Sequence, residues 1–376
     1  MRYTREDGCR AWLTYGNISP NHLVALIHQY GSCESIYDGF RAEGREVLEP
    51  FVTKGQLDIL SKQSKPEAMH EMMLTMQKWE MGIVSMDDEG YPDSLKNLSA
   101  PPYFLFYRGD LECLQGRCVT MIGARKASPA GLEATQRIAR DLSRRGVHIV
   151  SGMAVGIDSA ALAGGIEGGS PVIGVMACGL DRDYPVDSSP LKAMLLKNGG
   201  VMLSEYPPGT PALSWRFPLR NRIMSGLSKA VLMMECRIRS GSMSTVNHAL
   251  DQGREVFAYP GETGSVWAEG AQQLLREGAN YFTSAQDVLE DLGWMSASES
   301  FEARPTLPTH ERKLPVMTPS QQQLYECLLD GERSYDQLAA ATGFDASTLS
   351  VALTMLQIAG LVQSLPGKVY KAVKTV

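Results

Sequence analysis

The chain has no apolar run of the ~18–20 residues that a membrane helix needs. Its longest apolar stretches, 147–155 and 172–180, are short and broken by glycine, and they read as buried strands. The opening segment MRYTREDGCRAW lacks the apolar core of a secretory signal. A cytoplasmic protein is the expectation. The seven cysteines are odd in number and scattered, with no C-x-x-C pair. That excludes a disulfide framework and a structural zinc site as expectations, and leaves reduced, mostly buried thiols. Positive charge is not in excess: 36 Lys and Arg stand against 42 Asp and Glu, a net charge of −6. A uniformly basic nucleic-acid binder is therefore not expected, although a local positive pocket remains compatible. Several chemical signatures are missing as well. There is no G-x-G-x-x-G after the first strand, no G-x-x-x-x-G-K-[ST], no G-x-S-x-G and no H-E-x-x-H. A dinucleotide-dependent dehydrogenase, a P-loop ATPase, a serine hydrolase and a zinc protease are thus disfavoured, and neither cofactor nor metal is expected.

What is present is a globular composition. The chain has 376 residues, 44% hydrophobic and 21% charged, enough for two to three domains with cores of their own. Residues 1–75 carry helical spacing, with Leu23, Ile27 and Tyr30 on one face, and read as a small helical domain. Residues 76–293 begin with a connection and a strand at 103–107, then alternate β-rich runs with helical stretches. The runs are 118–122, 147–150, 172–176, 201–203, 230–234 and 256–258; the helices fall near 129–145, 158–167, 189–197, 243–251 and 269–277. Such alternation predicts an α/β fold, a doubly wound and mostly parallel sheet with helices on both faces. Residues 294–317 are polar and proline-dotted, a linker. Residues 318–376 read as three helices and a β-hairpin, the order of a winged helix.

In a doubly wound sheet, ligands bind beyond the carboxyl ends of the strands. Four segments there carry chemistry. In Gly123–Gly131, Ser128 is placed to cap a helix whose N-terminus offers N–H groups to an anion, beside Arg125 and Lys126. In Ser151–Asp158, Gly152 and Gly156 permit close backbone approach. In Ser214–Gly226, Arg216, Arg220 and Arg222 interleave with Trp215 and Phe217, and Asn221 is placed to read a base edge or a phosphate. Ser240, Gly241 and Ser242 form a possible phosphate nest, with Arg237 and Arg239 just before it. The plainer alternatives stay open: tight βα turns, arginines paired with nearby carboxylates, and core rings. Asp158, Glu205 and Glu235 are the carboxylates available for acid–base work, with ion pairing or capping as their blander use. The third helix of the C-terminal module, near 345–359, contains no lysine or arginine. Groove reading of duplex DNA by that helix is not expected.

The ordered set GARKASPAG, SGMAVGID, GLDRDYP, SEYP, FPLRNRIMSGLS, the SGS loop after Glu235 and AYPG resembles the DprA/Smf family, the DNA-processing proteins of bacterial transformation. The resemblance spans nearly the whole chain. It implies a sterile-alpha-motif-like domain, an extended Rossmann fold and a winged helix. It implies a protein without catalytic turnover that binds single-stranded DNA, loads the RecA recombinase and dimerises through the Rossmann domain. Carried over by position, the DNA pocket would comprise Arg125, Phe217, Arg220, Asn221, Arg222 and Ser240–Ser242, with Gly152, Gly156 and Asp158 shaping it. Leu162 stands where the family usually has histidine, and Gly241-Ser242-Met243-Ser244-Thr245-Val246 replaces the usual G-S-L-I-T-A. One competitor is a Rossmann-like nucleotide hydrolase related to phosphoribohydrolases, whose P-G-G-x-G-T loop is only faintly echoed at 259–264. Another is a duplex binder acting through the winged helix.

Overall fold

A computed structural model describes residues 3–186, 188–262, 264–295, 318–329, 331, 333–358, 361–365 and 369–372. The chain divides into two compact units, Met1–Trp294 and Met295–Val376. The expected linker falls almost wholly outside the described residues.

The first unit opens with five helices: α1 (Arg5–Thr14), α2 (Pro20–Tyr30), α3 (Cys33–Glu43), α4 (Lys54–Gln63) and α5 (Pro66–Lys78). Local signals start them. Thr4 and Asp7 form a capping box on α1, Ser19 caps α2 with Pro20 in its first position, and Thr53 and Gln56 box α4. Trp12 is fully buried against Tyr37 and Phe40. The helices are fastened to the sheet by Arg10, which grips Asp88 at 2.7 and 3.2 Å, and by Tyr15, whose hydroxyl donates to the Pro208 carbonyl at 2.9 Å.

The sheet has nine strands: β1 (Gly82–Ser85), β2 (Phe104–Gly109), β3 (Arg117–Ile122), β4 (Val147–Ser151), β5 (Val172–Met176), β6 (Val201–Ser204), β7 (Ala230–Met233), β8 (Glu255–Ala258) and β9 (Asn280–Tyr281). Their order is β1-β2-β6-β5-β4-β3-β7-β8-β9, with β3 to β9 parallel and β1 and β2 antiparallel at one edge. The chain winds outward from β3 in one direction, then returns to β3 and winds the other way. The switch point therefore lies between β3 and β7. The helices are α6 (Asp93–Lys96), α7 (Pro129–Ser143), α8 (Ile157–Gly168), α9 (Ser189–Lys197), α10 (Arg216–Leu227), α11 (Met243–Asp251), α12 (Glu269–Arg276) and α13 (Ala285–Asp291). Strands β5 and β7 are buried along their whole length and β4 at all but His148, as a sheet covered on both faces requires.

The doubly wound expectation holds. Strand β1, strand β9 and helix α13 were not anticipated, and neither was helix α10, which occupies the arginine-aromatic segment. Its buried side includes Arg220, Asn221 and Ser225 beside Ile223, Met224 and Leu227, so no apolar stripe advertises it. Thr120 in β3 fixes this helix: its hydroxyl lies 2.8 Å from the Met224 carbonyl and 2.8 Å from Ser228 Oγ, all buried.

The second unit contains α14 (Pro319–Leu329), α15 (Tyr335–Thr342), α16 (Ala346–Ile358) and a three-stranded antiparallel sheet of β10 (Arg333–Ser334), β11 (Val362–Leu365) and β12 (Val369–Ala372). Leu324, Leu328, Leu338, Leu349, Leu353 and Leu356 form its core. The winged-helix expectation holds. All seven cysteines are free, six of them buried.

Replacing Thr120 by valine keeps the shape but removes the hydroxyl that joins α10 to β3. Urea denaturation should show a loss of about 1–3 kcal/mol; an unchanged midpoint would mean that packing alone holds α10.

Candidate nucleic-acid interface

The loops following β3 and β7 meet outside the switch point. The Ala124 N–H donates to the Glu235 carbonyl at 2.6 Å, and Ser242 Oγ donates to the Gly123 carbonyl at 2.8 Å. Between these loops and the start of α10 lies a cleft of about 860 Å³. Its walls carry Arg125, Lys126, Arg237 and Arg239, all exposed. Among the described residues, none of these four has a carboxylate within ion-pair distance. Three rings line the same space: Tyr184, Phe217 and Trp267. The Arg125 guanidinium lies 5.2 Å from the Phe217 ring centre, Arg237 lies 4.6 Å from that of Trp267, and Tyr184 packs 5.3 Å from Phe217. Cations held over rings keep their charge and gain direction.

Helix α11 starts at this cleft. Its cap residue Ser242 makes no side-chain bond to the helix's own N–H groups, and Ser240 and Gly241 line the opening. Thr245, one turn inward, also lines the cleft; its hydroxyl is buried and has no hydrogen-bond partner among the described residues. The Met243, Ser244 and Thr245 N–H groups turn back to the Ser240, Gly241 and Ser242 carbonyls, so what favours an anion here is the positive end of the helix together with the Thr245 hydroxyl.

At α7 Ser128 is the cap, as expected, but the helix start it caps is already occupied by a carboxylate of the protein. The Glu235 carboxylate accepts from the Ser128 N–H at 2.8 Å and from Ser128 Oγ at 2.6 Å, while Ser128 Oγ accepts from the Gly131 N–H. A Cβ on Gly131 would stand 2.2 Å from the Glu235 carboxyl carbon, so glycine is what lets the acid sit there. The anion site of α7 is filled by the protein itself.

The three arginines of the α10 segment also separate. Arg220 is only 3% exposed. It donates to the Gly152 carbonyl at 2.8 Å, to the Val175 carbonyl, and through Nε to Asn221 Oδ1 at 3.2 Å. Asn221 in turn donates to Ser244 Oγ at 2.7 Å. Both residues line the floor of the cleft, with Arg220 Nε and Nη1 and both ends of the Asn221 amide engaged. Gly152 lies beneath that floor and does not line the cleft; a Cβ there would meet Arg220 Nη2 at 2.5 Å. Arg222, two residues on, points elsewhere. It grips Glu205 with two bonds of 2.9 and 2.6 Å, donates to the Ala100 carbonyl at 2.8 Å, and lines a separate cleft. The resemblance implied a pocket with Arg222 beside Arg125; in the structure Arg222 does not line the cleft that Arg125 lines. Positions two apart on a helix diverge by about 200°, since each residue turns about 100°.

The three carboxylates do not share a site. Glu235 caps α7, Glu205 holds Arg222, and Asp158 is buried at the cleft edge with the Ala154 N–H 3.4 Å away. Burial pushes Asp158 up to about 6, and the neighbouring Arg220 draws it back down. Burial also lowers Arg220, with Asp158 opposing. Among the described residues no group of acids, histidines or cysteines is placed to hold a metal, and no helix is long and apolar enough to cross a membrane. Tyr184 and Trp267 were not singled out from spacing. Tyr184 had a signal in the GLDRDYP motif; Trp267 lies far along the chain in an irregular segment and had none.

The fold is thus a Rossmann-like sheet with a switch-point cleft lined by exposed cations and by rings. The family model for DNA recombination-mediator protein A matches residues 82–293, and that for the DprA winged helix domain matches 305–368. Protein Smf of Escherichia coli is 34% identical over 292 residues, 76% of each chain. The structure of DNA processing protein A from Streptococcus pneumoniae superposes with a TM-score of 0.63 at 28% identity, over 77% of this chain and 99% of that one. DNA processing protein A from Helicobacter pylori, solved for its single-stranded DNA binding mode, gives 0.51 at 28% identity, over 56% and 95%. The chain belongs to the DprA/Smf family.

Two outcomes test this geometry. Arg222→Ala should cost about 1–3 kcal/mol of stability by freeing Glu205, whereas Arg125→Ala, at an exposed site, should stay within about 0.5 kcal/mol; equal losses in thermal denaturation would contradict the placement. The folded value of Asp158 lies above its ordinary 3.8, so its contribution to stability is complete below that pH and lost as pH rises through about 6. Asp158→Asn should therefore flatten the stability profile across that window, as read by denaturation midpoints; an unaltered slope would assign the dependence to other groups.

Proposed function

We propose that the switch-point cleft binds single-stranded DNA without strong sequence preference. The observation that carries this reading is the set of four exposed cations, Arg125, Lys126, Arg237 and Arg239, without an ion-pair partner among the described residues, around a cleft walled by Phe217, Tyr184 and Trp267. Guanidinium and ammonium groups take backbone phosphates. Rings inside a cleft stack on unpaired bases, which a duplex keeps hidden. The net charge of −6 supports the same preference, because repulsion outside the cleft disfavours indiscriminate duplex contact. The single-stranded DNA binding described for the Helicobacter pylori relative supports it too.

The reading assigns contacts residue by residue. Arg125 and Lys126 hold phosphates, with Phe217 as the stacking ring beside Arg125. The Ser240, Gly241 and Ser242 loop frames one further phosphate at the positive end of α11, where the Thr245 hydroxyl is the donor still without a partner among the described residues. Arg220, Asn221 and Gly152 build the floor, Ser128 anchors α7, and Arg222 fixes α10 against Glu205. The family resemblance extends the proposal to the biological role. The protein would protect incoming DNA in transformation and recombination, pass it to RecA, and work as a homodimer through the Rossmann domain without turning over a substrate.

Fluorescence anisotropy with labelled oligo-dT and a matching duplex, across a salt series, tests the binding reading. Wild type should prefer the single strand. The Arg125→Ala/Lys126→Ala pair should bind more weakly and lose roughly 0.7 of salt slope for each cation removed. Equal affinity for single strand and duplex would overturn the reading.

A further inference from the structure

The start of α10 is a shared wall. Ala212, Ser214 and Phe217 face the switch-point cleft, while Pro211, Trp215 and Arg216 line the adjoining groove between the N-terminal helices and the sheet. Trp215 is the N-cap residue and Phe217 the second helical residue, so their side chains fan to different sides of one turn. Trp215 is 54% exposed, a large ring left in water on a protein that buries Trp12 completely. It does not stand alone. The Arg216 guanidinium lies 4.8 Å from the Trp215 ring centre and 4.9 Å from that of Tyr206, which is itself buried. Arg216 Nη1 donates to the Pro211 carbonyl, and among the described residues no carboxylate pairs with Arg216. The result is a braced Trp215–Arg216–Tyr206 assembly whose outermost ring is open.

We propose that Trp215, braced by Arg216, is a second stacking station for the same single strand, met where the strand leaves the cleft over Ala212 and Ser214. This rests on the single-strand reading above. Continuity selects the occupant: the station and the cleft share one helix start, and both set an arginine against a ring, half-buried Phe217 in the cleft and exposed Trp215 outside it. Charge does not carry it. The adjoining groove holds Lys62, Lys65, Arg182 and Arg216 against Glu67, Glu71, Asp181 and Glu205, with Asp181 and Glu205 already engaged by the Gly209 N–H and by Arg222. The station therefore adds base stacking rather than phosphate neutralisation. It lengthens the occluded strand and tolerates any base, because every base has a face to stack.

The test compares Trp215→Ala and Trp215→Phe with wild type on oligo-dT of graded length in the full chain. Short oligonucleotides that fill only the cleft should bind Trp215→Ala as they bind wild type. Longer ones should lose at least about fivefold, the equivalent of ~1 kcal/mol for one stacked base, with the salt slope unchanged. Trp215→Phe should recover most of that loss. In wild type, an iodouracil placed beyond the cleft-filling length should photocrosslink to Trp215. Equal losses on short and long oligonucleotides would overturn the station by showing that the ring only supports the cleft. Unchanged affinity on every length would also overturn it, leaving Leu213, Trp215 and Leu219 as an apolar face for a protein. In both cases Arg125→Ala/Lys126→Ala on the short oligonucleotide still reports separately on the cleft.

Discussion

Arg220 is a guanidinium set among backbone carbonyls at the carboxyl ends of β4 and β5. A charge in that position is costly to bury unless it is hydrogen-bonded, and here Nη1 and Nε both find acceptors. The surroundings are arranged to supply them. Gly152 leaves room for the guanidinium, Asn221 accepts from Nε, and Asp158 lies near enough to offset the charge. Because Arg220 sits in α10, the same bonds dock that helix onto the sheet. Asn221 carries the docking on to Ser244 in α11. The floor of the cleft, the direction of α10 and the position of the α11 start thus follow from how one buried cation is satisfied.

A second economy concerns helix ends. Two helices begin beside the switch point, and both could attract an anion. At α7 the protein supplies that anion from Glu235, through Ser128 and over Gly131. At α11 no side chain caps the helix from Ser242; the first N–H groups turn back to the Ser240, Gly241 and Ser242 carbonyls, and Thr245 keeps a hydroxyl without a partner among the described residues. Selecting one of two similar ends sets where a phosphate can settle, and the exposed cations surround that end. Arg222 has the complementary role. Its fork on Glu205 cancels a carboxylate beside the Trp215 wall, so the outer face of α10 carries rings rather than repulsive charge.

The strands of the sheet were legible because buried parallel strands read as short apolar runs; those from 118 to 258 were found within a residue of their observed ends. The helices at 189–197 and 243–251 were found with the same bounds, punctuated by serine, proline and glycine. Helix α10 was hidden because its core-facing side is polar. A buried arginine and asparagine defeat a reading based on apolar periodicity. Strand β9 was hidden by brevity, with two residues, and β1 and β9 are the two edges of the sheet. In the site, Arg125, Lys126, Phe217 and Ser240–Ser242 were brought together as expected, since each sits at the carboxyl end of a strand or at the adjoining start of α10. Trp267 could not be anticipated, because an irregular segment has no period to place a ring.

The sequence alone determined the layer architecture, the loops that gather at one edge of the sheet, and the family. Each of these is written in local patterns: alternation of apolar runs, turn residues, caps and an ordered set of motifs. Tertiary structure alone decided which charges are free. Arg125, Arg220 and Arg222 are the same residue type, and the last two lie in one motif, yet one is exposed over a ring, one is buried in carbonyls and one is locked to Glu205. The fate of a charge depends on partners brought from distant segments, Gly152 and Val175 for one arginine and Ala100 and Glu205 for another. No local pattern records those partners, because desolvation and pairing arise only when the chain has closed around them.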